Sequence, residues 1–497
     1  MPKVKTYSVS KSSLLNDYVN EFGKDVFETN GKFIKCKVCN SNLGDDKSAP
    51  QKSQVEQHIK TAKHQHNLQL KKPKQGMIKF TSNEENTFYM DLCELFVSND
   101  IAITKLNNNN FKNFFKKHFK VILPEESTLR KNYLPMLYVK VLDEIRSNLL
   151  NEKIWVSIDE TTDASGRAIG NVVVGALKNE PSKCYLLACE ILEQTNHSTI
   201  NQLFNNAMIL LYETHIKYGN VLLLVTDAAR YMVKAGNAIK SSYPKMIHLT
   251  CVVHGLNRVA EQIRISYPLV NKLISNVKKI YCKAPSRISK FKLKAPQTPL
   301  PPQPVLTRWG TWLEAAIYYY ENFNLIKDLV NDLDIDEADS IKTTQNLFKS
   351  PELKSNLAFI SANFSGLAST MKQLEKRNLK LENSIDLIEK QFNSIMNSKE
   401  YNVTSKFIDV LRRNNGYQEI KLISKILNGE HNLAGQLEYD YLPNEINAFS
   451  FAPLTSVDVE RSFSIFKALY SSRKHQFTFE NLKMTFFINC NSNTLME

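Results

Sequence analysis

The hydrophobic pattern changes at Lys153. From Glu84 to about Leu150 the apolar residues recur at helical spacing, as in "FYMDLCELFVSNDI" and "YLPMLYVKVLDEIRSNLL". From Lys153 they gather into short runs rich in β-branched residues, "KIWVSIDE", "GNVVVGAL" and "CYLLACEIL", with turn residues between them. Such runs read as consecutive strands. A helical stretch from Thr199 to Tyr218 precedes "NVLLLVTD", which is apolar throughout, the mark of a strand covered on both faces. Helix and strand then alternate as far as His248, which argues for an α/β layer.

Beyond Val252 the pattern is mostly helical again. "APQTPLPPQP" (Ala295 to Pro304) interrupts it as a stiff extended connector. One long helix is expected over Met371 to Met396, with Leu374, Leu381, Ile385, Ile388, Phe392 and Ile395 on one face. At 497 residues the chain exceeds one ordinary core, so two to four domains are expected. No internal repeat is present.

Lys and Arg number 64 against 50 Asp and Glu, a net charge of +14. Residues 1–80 hold 15 lysines and 7 acids, or +8, so over half of that excess sits in the first sixth of the chain. A concentrated basic segment suits a polyanion, whether nucleic acid or an anionic surface. "LKKPKQ" (Leu70 to Gln75) has the form of a nuclear localisation signal. No stretch approaches the roughly 20 apolar residues of a membrane span. Eight cysteines spread over such a length are no disulfide scaffold, and imply a reducing compartment with thiols free to bind metal.

"CKVC" places Cys36 and Cys39 on a tight turn, and "HIKTAKH" places His58 and His64 about two turns apart on a helix. Two thiolates and two imidazoles close a tetrahedral Zn²⁺ site, with His66 a spare for His64. So few apolar residues surround these four that zinc would supply the folding energy. Lys52, Lys60, Lys63, Lys71, Lys72 and Lys74 lie around the site, suited to phosphate contact without a sequence code.

Asp159 closes the first predicted strand and Asp227 the buried one, where ligands of α/β sheets collect. On position alone Asp159 is equally a turn residue, and Asp227 an N-cap for a helix starting at Ala228. Near the other end, "PLTSVDVERSFSIFKALYSS" puts Val459, Phe463, Phe466 and Tyr470 on one narrow helical stripe. Asp458 and Glu460 flank it on nearly opposite sides. Ser456 and Ser464, one turn below and above Glu460, leave space beside that carboxylate.

Two resemblances join these features. The segment around Cys36, Cys39, His58 and His64 resembles a BED-type zinc finger, and "PEESTLRKNYLP" (Pro124 to Pro135) is similar to the segment after the finger in the CGG-repeat-binding protein family. The ordered set "SIDETTD", "LLLVTDAARYM", "CVVH", "TRW" and "SVDVERSFS" resembles the hobo–Activator–Tam (hAT) superfamily of DNA transposases. That resemblance implies an α/β RNase H-like catalytic core interrupted by an all-helical insertion, with a DDE triad of Asp159, Asp227 and Glu460. The three carboxylates would hold Mg²⁺ or Mn²⁺ for cleavage and strand transfer on double-stranded DNA, transposon ends and target alike, and Asp163 would be a surface or turn acid. It implies a homodimer or higher homo-oligomer acting in the nucleus, with no membrane partner. The implied organisation is a finger over 1–75, a helical DNA-binding or connector region over 76–150, and the first part of the core over 151–265. A helical insertion follows over 266–449, and 450–497 completes the core and dimerises. Arg308 is a phosphate contact, and Trp309 either stacks on an unpaired base or packs beside Trp312. Cys251 and His254 are either metal ligands or packing residues near the active site. The family commonly has Asn after its second Asp, where this chain has Ala228. A host-adopted DNA-binding regulator that no longer cleaves is the alternative reading.

Overall fold

In the computed structural model, residues 10–44, 49–71, 82–213, 215–305, 309–470 and 478–492 are described. Two units form: Met1–Glu85 with Leu106–Leu123, and Asn86–Lys105 with Pro124–Glu497. In the first, helix α1 (Lys11–Phe22) precedes a three-stranded antiparallel sheet, β1 (Phe27–Thr29), β2 (Ile34–Cys36) and β3 (Ser41–Leu43), then helices α2 (Lys52–Lys60) and α3 (Ala62–Lys71). Leu15, Tyr18, Phe27, Ile34, Val38 and Val55 make its small core together with Cys36.

The second unit is built on five strands: β4 (Ile154–Thr162), β5 (Ala168–Ala176), β6 (Cys184–Leu192), β7 (Val221–Thr226) and β8 (Ile247–Thr250), in the order β6-β5-β4-β7-β8. The β4–β5 and β5–β6 pairs are antiparallel, whereas β7 runs parallel to both β4 and β8. The strands are those expected from the runs after Lys153, and every residue of β7 is buried. Asp163 turns β4 into β5. Its Oδ1 accepts the amides of Ser165 at 2.8 Å and Arg167 at 2.9 Å, and Gly166 supplies the left-handed φ of 78°. The side chain is fully buried against Arg167, so Asp163 is a turn acid but not a surface one.

The sheet is covered on both faces. On one, a Cβ at Gly170 would lie 2.6 Å from Leu203 of helix α4 (His197–Tyr212), so glycine there lets helix and sheet approach closely. Side chains alternate across a strand. Asn171, beside Gly170, therefore points to the opposite face, as does its cross-strand partner Asp159.

After β8 the described chain is helical, beginning with α5 (Val252–Ser266) and returning to the sheet at α6 (Val457–Leu469). The helix expected over Met371 to Met396 is two, Pro351–Leu374 and Leu381–Asn397, with Asn378 in left-handed conformation between them. The break turns Arg377 outward to Asp458, at 2.7 Å. Leu374 and Leu381 stay buried on either side of it, which is why the apolar spacing hides the interruption.

An ion cluster around a buried Glu445 ties the late part of this helical segment to the residues that lead into β4 and β8. Glu445 accepts Lys153 and Lys245, each at 2.8 Å, and the Leu442 amide at 3.0 Å, with its side chain 4% exposed. Burial alone would raise its pKa, but the hydrogen bonds from Lys153 and Lys245 overcome burial and hold it at about 2, below the ordinary 4.5. A depressed carboxylate stabilises the fold above its unfolded pKa, and that contribution is lost as pH falls through the folded value. Glu445→Gln is expected to lower stability by about 3 kcal/mol at pH 7. In urea titrations across pH, the gap from wild type should shrink from pH 4.5 toward pH 2; a gap independent of pH would refute the assignment.

Candidate metal centres

Cys36 ends β2, and the chain turns back so that the Cys39 amide donates to Cys36 Sγ at 3.4 Å. His58 lies in the last turn of α2. The expected single helix carrying both histidines does not form, because six residues at about 100° each would point His64 some 120° away from His58. Thr61 breaks it: its backbone is extended, its hydroxyl donates to the His58 carbonyl at 2.8 Å and accepts the His64 amide at 3.2 Å. α3 therefore starts on a new axis, and His64 swings back. His64 Nδ1 then lies 3.4 Å from Cys36 Sγ and 3.5 Å from Cys39 Sγ. One ligand atom from each of Cys36, Cys39, His58 and His64 falls within 4.8 Å of all the others.

Phe27 stacks flat on His64, with centroids 6.3 Å apart, and meets His58 edge-on. His58 Nε2 is buried with no hydrogen-bond partner among the described residues, an orphan that a cation would satisfy. Burial lowers both imidazole pKa values, keeping them neutral and able to ligate, and raises the Cys36 thiol. The donor set fits a borderline-soft tetrahedral ion, whose binding would draw the thiol proton off. His66 is exposed and outside the cluster. Of the basic residues, Lys52 pairs with Glu21 and lies over Phe22, while Lys60 and Lys63 are exposed. The backbone of Lys71 closes α3; Lys72, Lys74 and Arg308 lie outside the described residues.

The second cluster lies on the sheet face opposite Gly170. Asp159 stands within β4, five residues in, rather than at its end. His254 comes from the first turn of α5 and Glu460 from the first turn of α6. Ligand atoms of these three residues lie within 4.8 Å of one another, and His254 Nε2 is 3.7 Å from Glu460 Oε1. Asp227 follows β7. Ser157 and Val225 are the last pair between β4 and β7, so Asp227 lies just past the end of the strand and outside the group of three. Its Oδ1 accepts the Ala229 amide at 3.0 Å, which caps the turn into a helix that starts at Arg230 rather than Ala228. Burial raises the Asp159 pKa, and the charges of Glu460 and Asp227 raise it further. Burial would lower His254, but Cys251, Asp159 and Glu460 reverse this and hold it at about 9. Packing thus crowds two acids, Asp159 and Glu460, around one imidazole, an arrangement that a hard divalent cation would relieve.

The two acids of "SVDVERSF" now differ. Asp458 is buried and accepts Arg377 at 2.7 Å and Arg461 at 2.8 Å. Glu460 is half-exposed and faces the cluster. What seats α6 is the expected stripe, with Val459, Phe463 and Phe466 buried, plus one contact that spacing does not reveal: Asn171 Nδ2 donates to Ser462 Oγ at 2.8 Å. Asn171 sits directly opposite Asp159 in the β4–β5 ladder and is fully buried, its Oδ1 without a partner among the described residues. A lone amide inside "GNVVVGAL" was the available signal. Trp309 is half-buried and meets His254 edge-on at 4.8 Å, while Trp312 is a core residue bonded to Asn271. Cys251 is buried and accepts the Ser456 amide at 3.3 Å, which fixes the entry to α6.

Residues 124–280, which include the whole sheet with Asp159, Asp227 and His254, match a family described as "Domain of unknown function (DUF659)". None of the curated proteins matches the chain. Among solved structures, the chain is similar to the "Drosophila P element transposase strand transfer complex", at 11% identity and a TM-score of 0.39, over 90% of this chain and all of that one.

For the first cluster, cobalt(II) titration should give the intense visible bands of a tetrahedral thiolate site in wild type and in His66→Ala. Cys36→Ser should weaken binding on the order of 100-fold or more. Loss of the bands in His66→Ala would show that His64 is not the ligand.

Proposed function

We propose that the chain is a DNA transposase of the hAT type, with an RNase H-like core, a helical insertion and a BED-type zinc finger. The observation that carries this reading is the convergence of Asp159 and Glu460 with His254, while Asp227, one residue past β7, lies close enough for its charge to raise the Asp159 pKa. Acids remote in sequence and crowded on one sheet face at a cost in solvation are what a two-metal phosphoryl-transfer site requires.

In this reading the buried Asp159, together with Asp227 and Glu460, would supply the carboxylates that hold the metal. When bound, two Mg²⁺ or Mn²⁺ ions would activate the attacking water or 3′-hydroxyl and stabilise the leaving oxygen. His254 Nε2 orients the Glu460 carboxylate, and Asn171 with Ser462 fixes the helix that carries it. Trp309 shields His254 on one side. Zn²⁺ held by Cys36, Cys39, His58 and His64 folds the finger, whose exposed Lys60 and Lys63 contact phosphates of double-stranded DNA. The partners are transposon ends and target DNA, the acting species a homo-oligomer, and the compartment the nucleus. Among the described residues no helix is long and apolar enough to cross a membrane.

The test is Mg²⁺-dependent nicking of plasmid DNA that carries the sequences flanking the gene. Glu460→Gln should reduce it by about a thousandfold or more, the loss of several kcal/mol of transition-state stabilisation. Asp458→Asn, which loosens two arginine contacts, should lower thermal stability and leave the nicking rate of the folded protein within a few fold. Equal nicking by wild type and Glu460→Gln would sink the triad. No nicking by wild type, with DNA binding retained, would favour the non-cleaving regulator.

A further inference from the structure

The helix Asn109–His118 in the first unit has no buried residue. Asn108 starts it, its Oδ1 accepting the amides of Asn110 at 2.9 Å and Phe111 at 3.2 Å, and Lys120 ends it in left-handed conformation. Leu106, Val121 and Leu123 at its two ends are buried, so the segment is anchored while its middle is presented to solvent.

That middle is aromatic. At about 100° per residue, Phe111, Phe114, Phe115, His118 and Phe119 share one arc of the surface. The rings touch each other, with Phe114 5.0 Å from His118 and 5.9 Å from Phe119, and Phe115 5.5 Å from Phe119. Phe114 is 52% exposed and Phe119 55%. Lys112 and Lys116 border the arc on one side and Lys117 on the other, and no Asp or Glu occurs between Leu106 and Leu123. A ten-residue helix is marginal alone, and Phe114 and Phe119, each more than half exposed, call for a cover.

We infer that this face is a platform for single-stranded nucleic acid, whose bases stack on Phe114 and Phe119 while Lys116 and Lys117 contact the backbone phosphates. Rings flanked by cations match unpaired bases flanked by phosphates. A second copy of the same face is disfavoured, since it would set lysine against lysine with no acid to offset them. The inference does not depend on the carboxylate cluster.

The test is fluorescence anisotropy of a labelled oligothymidylate of about 20 nucleotides, and of a duplex of equal length, with the full zinc-loaded chain and no added Mg²⁺ or Mn²⁺. Phe114→Ala with Phe119→Ala should weaken single-strand binding about tenfold or more and leave duplex binding unchanged. Phe114→Trp with Phe119→Trp should restore it. Lys116→Ala with Lys117→Ala should flatten the salt dependence by about 1.4 logarithmic units per decade, roughly 0.7 for each phosphate released. Unchanged single-strand affinity in the alanine pair overturns the inference, as does equal weakening on both DNAs. So does binding of wild type to phosphatidylserine vesicles, or its self-association, that the alanine pair abolishes without altering single-strand affinity.

Discussion

The seating of one late helix on the sheet is the contact on which the second unit depends. Val459, Phe463 and Phe466 supply the burial that drives it, but an apolar stripe alone permits sliding along a flat β surface. The hydrogen bond from Asn171 to Ser462 fixes the position, because both groups are fully buried and neither has water to fall back on. Since Asn171 is also the cross-strand partner of Asp159, the same residue that locks the helix sets the distance from Glu460 to the strand acid. Cys251 adds a second fix at the helix entry, where its sulfur accepts the Ser456 amide and Val252 donates to the Leu454 carbonyl.

The two clusters differ in chemical hardness and in how the chain supports them. Sulfur and imidazole meet in a small pocket whose core has few large side chains, so an ion there would contribute much of the order. The carboxylates meet on a sheet already held by a continuous core, where local repulsion is tolerated because the surrounding packing exceeds it. The first is an arrangement in which a bound ion would make structure, the second one in which structure concentrates charge.

Much of this was legible in the residues. The switch from helical spacing to short β-branched runs located the sheet, and the unbroken apolarity of β7 marked it as central. That Cys36, Cys39, His58 and His64 form one group followed from spacing, although not the geometry: a period count cannot show that Thr61 will spend its hydroxyl on breaking the helix. Nor can it show the interruption at 375–380, because buried Leu374 and Leu381 keep phase across it. Asp458 and Glu460 were indistinguishable by pattern, since Arg461 neighbours both in sequence and the other arginine that holds Asp458, Arg377, lies 81 residues away on that interruption. His254 stood out only as part of a short motif. Its place beside Asp159 and Glu460 comes from three elements meeting in space, which no local window contains.

The bond between Asn171 and Ser462 spans 291 positions. A ribosome delivers the sheet long before it delivers the helix that covers the Asp159 face. Through that interval the face must stay open to solvent or to a chaperone, and the helices between must collapse without it. Closing so long a loop is slow, and it comes after the local contacts are made. The acid cluster is therefore among the last features of this molecule to exist, and a chain interrupted before residue 457 would carry the Cys36–His64 cluster without it.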